Sequence, residues 1–506
     1  MAIKLAVLVF VVCVSGLASC ASGDSDSDAV PIPTSASGEP GDTSTTSSSI
    51  PSTTSQPAAP ASDATLSGPI AAGSRGGPGT ATPVDLAAAG YVEEEFFLSG
   101  EATSFVPSGE LLIDGKWDVV ADEAAPFTTR MLVRRPDDAT VFSGTVLVEW
   151  FNVSSNVDVD VDFGFASDEI LRSGDVWVGV SAQQVGITST EGGDFGVDAL
   201  GLRAWDPERY GDLEHPGDAY SYDIFSQAGH ALRNPRGTDP LAGYDVEQIL
   251  AMGESQSAFR LLTYVNAVHP LAEAYDGFLI HSRDGGGAPL VAGDDLVPSV
   301  SQVRTDLDVP VLQLVTETDL FGLRPGSAFP DARQADTDTV RTWEMAGTAH
   351  ADAHYLASLY AQGTQNFDSF LDLTAVIPVA NSGPQRWIVN AALNHLRAWA
   401  AEGAPPPSAD PIETNGGAIV RDEHGNALGG IRTPAVEVPT ATLTGEGTSL
   451  IGSTTPLTPD VLAELYPTPA DYLTAYEDAL EESISNGFIL EIDAEAILDE
   501  ALLPDS

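Results

Sequence analysis

The segment that most restricts the fold is Gly253-Glu254-Ser255-Gln256-Ser257, because it sets a lone serine between a strand-like run and a helix-like run. Ahead of it, Val246 to Met252 (VEQILAM) is short and apolar enough for a buried strand. Behind it, Ala258 to Val268 (AFRLLTYVNAV) carries apolar residues at helical spacing. A serine on so sharp a turn stands exposed above a parallel sheet, with a helix N-terminus beneath it to receive negative charge. Small residues are needed two positions before and after it, where strand and helix nearly touch, and Gly253 and Ser257 meet that need. The same spacing at Gly23-Asp24-Ser25-Asp26-Ser27 has no strand before it and makes no such elbow. The competing reading of Ser255 is a helix N-cap that follows a strand.

A serine needs a base to become a nucleophile, and the base needs an acid to orient it; on a sheet of this kind the chain order is serine, acid, histidine. His350 closes Ala346-Gly347-Thr348-Ala349-His350, a turn that follows the strand-like Thr339 to Met345, with His354 as the second choice. The acid should follow Val309 to Thr316, whose end offers Glu317 and Asp319; the spacing from Pro310 favours Asp319. Oxyanion donors are expected from the backbone N–H of Gln256 and from one of Asn152, Val153 and Ser154, beyond the strand-like Gly144 to Trp150.

From Val84 onward β-rich runs alternate with helical ones, the texture of an α/β protein. Thr128 to Arg135 and Gly144 to Trp150 read as neighbouring strands joined by the Pro136-Asp137-Asp138 turn, followed by a strand at Asp175 to Ser181 and another at Ala274 to His281. Tyr220 to Leu232 and Trp387 to Ala400 read as helices, and the Gly- and acid-rich excursion from Gln184 to Pro216 reads as a lid. Residues 404–506 form an appendage of the same unit, and no internal repeat is present. Asp158-Val159-Asp160-Val161-Asp162, with Glu169 further on, echoes a calcium loop, but Phe163 stands where that turn requires glycine. The pattern is therefore read as solvated alternation, with no metal.

Lys4, the apolar run Leu5 to Val14 and small residues to Ser19 read as a secretion signal over 1–19, too short to span a bilayer permanently. Leu17-Ala18-Ser19-Cys20 resembles a lipobox, which makes Cys20 the acylated first residue of the mature chain and the membrane anchor. Cys13 and Cys20 are the only cysteines, so the folded part has no disulfide, thiol nucleophile or cysteine metal site. Residues 20–83 are Ser-, Thr- and Pro-rich and read as a flexible tether to the main domain, 84–506. A net charge of −53, with Lys4 and Lys116 the only lysines, makes nucleic acid and anionic lipid poor partners.

The blocks Glu149-Trp150-Phe151-Asn152-Val153-Ser154, VWVGVSAQQVGI at Val176 to Ile187, GESQSA, VTETDL, WEMAGTAHAD, GGIRTP and LYP together resemble a bacterial family of α/β hydrolase domain-containing proteins, from Tyr91 to the C-terminus. The resemblance implies an α/β-hydrolase fold, a mostly parallel twisted sheet with helices on both faces, and it agrees with a Ser255, Asp319, His350 triad. The expectation is an exported, lipid-anchored serine hydrolase of carboxylesterase type that acts on a small-molecule ester without a cofactor. The alternatives are a non-catalytic envelope lipoprotein on a hydrolase scaffold, or an acyltransferase.

Overall fold

The computed structural model describes residues 64–501, apart from 72, 194–199, 292, 294, 295, 322 and 447–449. The signal segment, Cys20 and most of the expected tether lie outside the described residues.

Strands whose apolar residues do not alternate need cover on both faces. Here β1 (Thr65–Ser67), β2 (Tyr91–Pro107), β3 (Val119–Pro136), β4 (Thr145–Trp150), β5 (Val176–Val180), β6 (Gln248–Glu254), β7 (Gly277–His281), β8 (Val311–Thr316) and β9 (Val340–Met345) form one sheet. Their order is β1-β2-β3-β5-β4-β6-β7-β8-β9, parallel from β5 to β9 and antiparallel through β1, β2 and β3. Successive residues of β6 enter opposite cores: Ile249 and Ala251 join Trp150, Phe225 and Tyr264, while Leu250 and Met252 join Leu147, Trp177 and Ile388. Helices α2 (Ser221–Arg233) and α3 (Gln256–Thr263) cover the first face, and α1 (Val161–Ser173), α4 (Ala353–Asn366) and α5 (Gln385–Glu402) cover the second. Each fully buried Leu or Ile in these layers contributes roughly 1.5–3 kcal/mol relative to exposure.

The strand at 128–135 does not neighbour the one at 144–150: β5 lies between β3 and β4, antiparallel to one and parallel to the other. The Pro136 turn joins the strands in sequence, whereas pairing in the sheet is set by the crossover through α1. Order also begins earlier than the expected boundary at 84, because Thr65–Ser67 pairs with Phe97 to Ser99 and buries Leu66. Beyond it, Asp206 accepts hydrogen bonds from the Ser74 and Arg75 amides.

The alternating acids are not solvated. Asp158 pairs with Arg130 at 2.8 Å, Asp160 with Arg134, and Asp162 with His281 Nδ1 at 2.7 Å, all of them buried. A buried carboxylate without a partner would be strongly destabilising, so the three pairs account for the pattern without a metal. Among the described residues, no cluster of three or more His, Cys, Asp or Glu is arranged to hold a metal ion, and no helix is long and apolar enough to cross a membrane.

The C-terminal region packs onto the edge of the sheet rather than standing apart. Ile431 continues the pairing of β9, donating to Glu344 O and accepting from the Ala346 amide. Arg421 reaches Glu317, and Thr318 Oγ1 donates to Gly445 O.

Candidate active site

Ser255 sits between β6 and α3 with φ 58° and ψ −119°, a left-handed conformation that a non-glycine residue holds only under strain. The tight approach behind it explains its small neighbours: a Cβ on Gly253 would stand 3.1 Å from the Ser257 Cβ. The Ser255 amide donates to His281 O on β7 at 2.9 Å, and its carbonyl accepts from Phe259, so strand and helix both fix the turn.

The loop after β9 delivers His350. Its turn is held by the Gly347 amide donating to Glu317 Oε1 at 2.8 Å, by Asn381 Nδ2 donating to Gly347 O at 3.0 Å, and by the His350 amide donating to Thr318 Oγ1 at 3.2 Å. His350 Nε2 lies 2.7 Å from Ser255 Oγ, and His350 Nδ1 lies 2.8 Å from Asp319 Oδ1. The other oxygen of Asp319 accepts from the Thr316 amide and hydroxyl, both at 2.8 Å, which fixes the carboxylate at the end of β8. Ser255, Asp319 and His350 thus form one chain of hydrogen bonds at the C-terminal edge of the parallel strands.

Glu317, the other acid at this strand end, turns away: it accepts from the Gly347 and Gly445 amides and pairs with Arg421 at 2.9 Å. It therefore braces the loop that carries His350. His354 makes no contact with Ser255; its Nδ1 lies 3.1 Å from Arg386.

The oxyanion candidates separate by what their amides already do. The Asn152 amide donates to Val159 O at 3.0 Å and the Ser154 amide to Asn152 Oδ1 at 2.9 Å, so neither is free for a ligand. The tight turn over 152–159 uses these two donors internally, which narrows the expected set to Val153. The Val153 and Gln256 amides have no hydrogen-bond acceptor among the described residues.

Glu254 was not singled out in the sequence. Its Oε1 lies 3.2 Å from His350 Nε2, and Asn152 Nδ2 lies 3.4 Å from its Oε2. The signal was strand alternation, which puts Glu254 on the face of Leu250 and Met252 and so forces an acid into an apolar layer. Burial drives its carboxyl well above the usual range, against the pull of His350. For His350 burial acts in the lowering direction, yet the Glu254 and Asp319 carboxyls outweigh it and push the imidazole up to about 9.

A cavity of ≈ 110 Å³ opens at Ser255 and His350. Its walls come from α4, the segment 371–376 and the C-terminal Leu450 and Ile451; no described residue of the excursion 184–216 lines it. Among its described residues, the excursion is fastened to the antiparallel strands, where Glu214 bridges Thr128 and Tyr210 OH donates to Glu95, and it packs on the turn beside the cavity, where Gly186 and Gly193 lie against Val153 and Ser155.

A family model described as an alpha/beta hydrolase domain matches residues 66–499. No curated protein matches the sequence. Among solved structures, the chain is similar to XC6422 from Xanthomonas campestris, described as an a/b serine hydrolase without lid, at 12% identity and TM-score 0.26, covering 53% of this chain and 91% of that one. A putative dienelactone hydrolase from Klebsiella pneumoniae gives 13% identity and TM-score 0.25, covering 60% and 99%. A fungal esterase from Rhizomucor miehei gives 11% identity and TM-score 0.25, covering 60% and 85%.

Proposed function

The chain belongs to the α/β hydrolase domain family, and on that premise we propose that it is a serine hydrolase that cleaves carboxylic esters through an acyl-enzyme on Ser255. The observation that carries this reading is the unbroken line from Ser255 Oγ to His350 Nε2 at 2.7 Å and from His350 Nδ1 to Asp319 at 2.8 Å.

As Ser255 Oγ attacks the ester carbonyl carbon, its proton passes to His350 Nε2, and Asp319 steadies the imidazolium. The oxyanion that develops is received by the two unengaged amides, Val153 and Gln256, the second at the N-terminus of α3. His350 returns the proton to the departing alcohol oxygen as the carbon–oxygen bond breaks. Water then adds to the acyl carbonyl, gives its proton to His350, and releases the acid while Ser255 Oγ takes the proton back. Glu254 faces the same Nε2 and favours the protonated imidazole, which sets the pH at which His350 can act as a base.

The acyl-enzyme is the testable intermediate. On brief exposure to p-nitrophenyl butyrate, the protein should gain one butyryl group on the peptide that holds Ser255 and lose it to water. Persistence of the unmodified mass with no nitrophenol released would refute the reading. With added alcohols a hydrolase still releases mainly the free acid, whereas a transferase passes most of the acyl group to the alcohol.

We propose separately, from the apolar run Leu5 to Val14 and from Leu17-Ala18-Ser19-Cys20, that the protein is exported, cleaved before Cys20 and held to the membrane by acyl chains on that residue. Substitution of Cys20→Ala should move it from the membrane to the soluble fraction.

A further inference from the structure

The cavity beside Ser255 is walled mainly by hydrocarbon, with Asn152, Ser154 and Ser155 on the side of the turn before α1. Leu356 and Leu359 of α4 form one wall, Leu371, Leu373 and Val376 another, and Leu450 with Ile451 the third. The third wall is pinned from both sides: the Ala351 amide donates to Leu450 O at 3.0 Å and the Asn381 amide to Ile451 O at 2.9 Å. The region after 404, to which the sequence assigned no task, thus supplies part of the surface that substrate must touch. Among the described residues no lysine or arginine lines the cavity, and Glu254 is the one carboxyl that does.

Size follows from volume. An apolar protein cavity of roughly 150 Å³ takes a benzene ring. One of ≈ 110 Å³ takes in proportion a group of about four or five carbons. Charge follows from the lining, because a carboxylate brought into this space would lose its water and, once His350 is neutral and able to act as a base, find no cation among the lining residues.

We propose that the substrate is an uncharged ester that carries, on one side of its carbonyl, a compact apolar group of about four or five carbons seated among Leu373, Val376 and Ile451. The inference rests on the serine-hydrolase reading and adds the substrate class to it. Ile451 and Val376 are only partly buried, so both can be changed with little risk to the fold.

The experiment measures kcat/KM for the full-length chain on p-nitrophenyl esters from acetate to decanoate, on alkyl acetates of matching lengths, and on p-nitrophenyl hemiglutarate. In one of the two series kcat/KM should rise about fourfold per methylene to about four or five carbons and then fall; which series peaks tells whether the acyl or the alcohol side fills the cavity. The hemiglutarate should be at least about tenfold slower than the pentanoate, by the removal of a charge from water without a partner. Ile451→Ala should move the peak to longer chains, and Val376→Phe should move it to shorter ones. Flat profiles in both series, or a peak that neither variant moves, would overturn the assignment while fluorophosphonate labelling of Ser255 left the hydrolase reading in place. Absence of both labelling and turnover would remove the two together.

Discussion

Two imidazole–carboxylate pairs stand at the same edge of the sheet, and only one faces a serine. His350 and Asp319 lie 2.8 Å apart, His281 and Asp162 2.7 Å apart, and all four are buried. They differ in what meets the second ring nitrogen: Ser255 Oγ and a cavity for His350, the Gln385 amide at 3.0 Å for His281. A histidine–carboxylate pair is therefore not a reactive unit by itself. On β7 it ties the end of a strand to the start of α1, and after β9 the same chemistry is turned toward a hydroxyl.

The sharpest way to break this comparison is to remove the serine. Ser255→Ala should lower kcat for p-nitrophenyl butyrate by about 10⁴ to 10⁶ with an unchanged thermal midpoint. Asp319→Asn comes next, at about 10⁴ in kcat, since the amide holds the imidazole in the wrong tautomer. The other pair should answer in a different quantity. His281→Ala leaves Asp162 buried without its partner and should lower unfolding free energy in urea by about 3–5 kcal/mol, while kcat per folded molecule stays within a few-fold. Loss of turnover in folded His281→Ala protein would merge the two pairs into one machine.

A smaller effect concerns pH. In the proposed mechanism the base is neutral His350, so kcat/KM should climb as pH rises through its pKa, which Glu254 and Asp319 push up to about 9 despite burial. Glu254→Gln removes one of these carboxyls and should move the rising limb down toward the ordinary value of about 6.5. A limb that stays in place would show that Glu254 carries no charge while His350 titrates. Least of all, Arg421→Ala should loosen the Glu317 brace on the Gly347 turn and lower kcat a few-fold, with KM little changed.

The features legible in the sequence were those that one short segment encodes. The Ser255 turn needs only a strand, small neighbours and a helix, and Asp319 and His350 each follow a strand end. What stayed hidden depends on partners far along the chain. Asp158, Asp160 and Asp162 read as solvated because Arg130, Arg134 and His281 become their partners only after the sheet has formed. The position of β5 between β3 and β4 is likewise a product of the crossover. Leu450 and Ile451 reach the cavity only through the wrapping of the C-terminal region, a placement that composition does not encode. Length and glycine content likewise mark 184–216 as an excursion and leave open what it packs on: among the described residues Glu214 bridges Thr128, while Gly186 and Gly193 lie against Val153 and Ser155 of the turn beside the site.

The most direct test of the account is a fluorophosphonate probe applied to the native protein near pH 9, with the site of attachment read by peptide mass spectrometry. Stoichiometric modification of Ser255, lost in His350→Ala, is the predicted result. An unlabelled protein, or a label on some other serine such as Ser282, would contradict it.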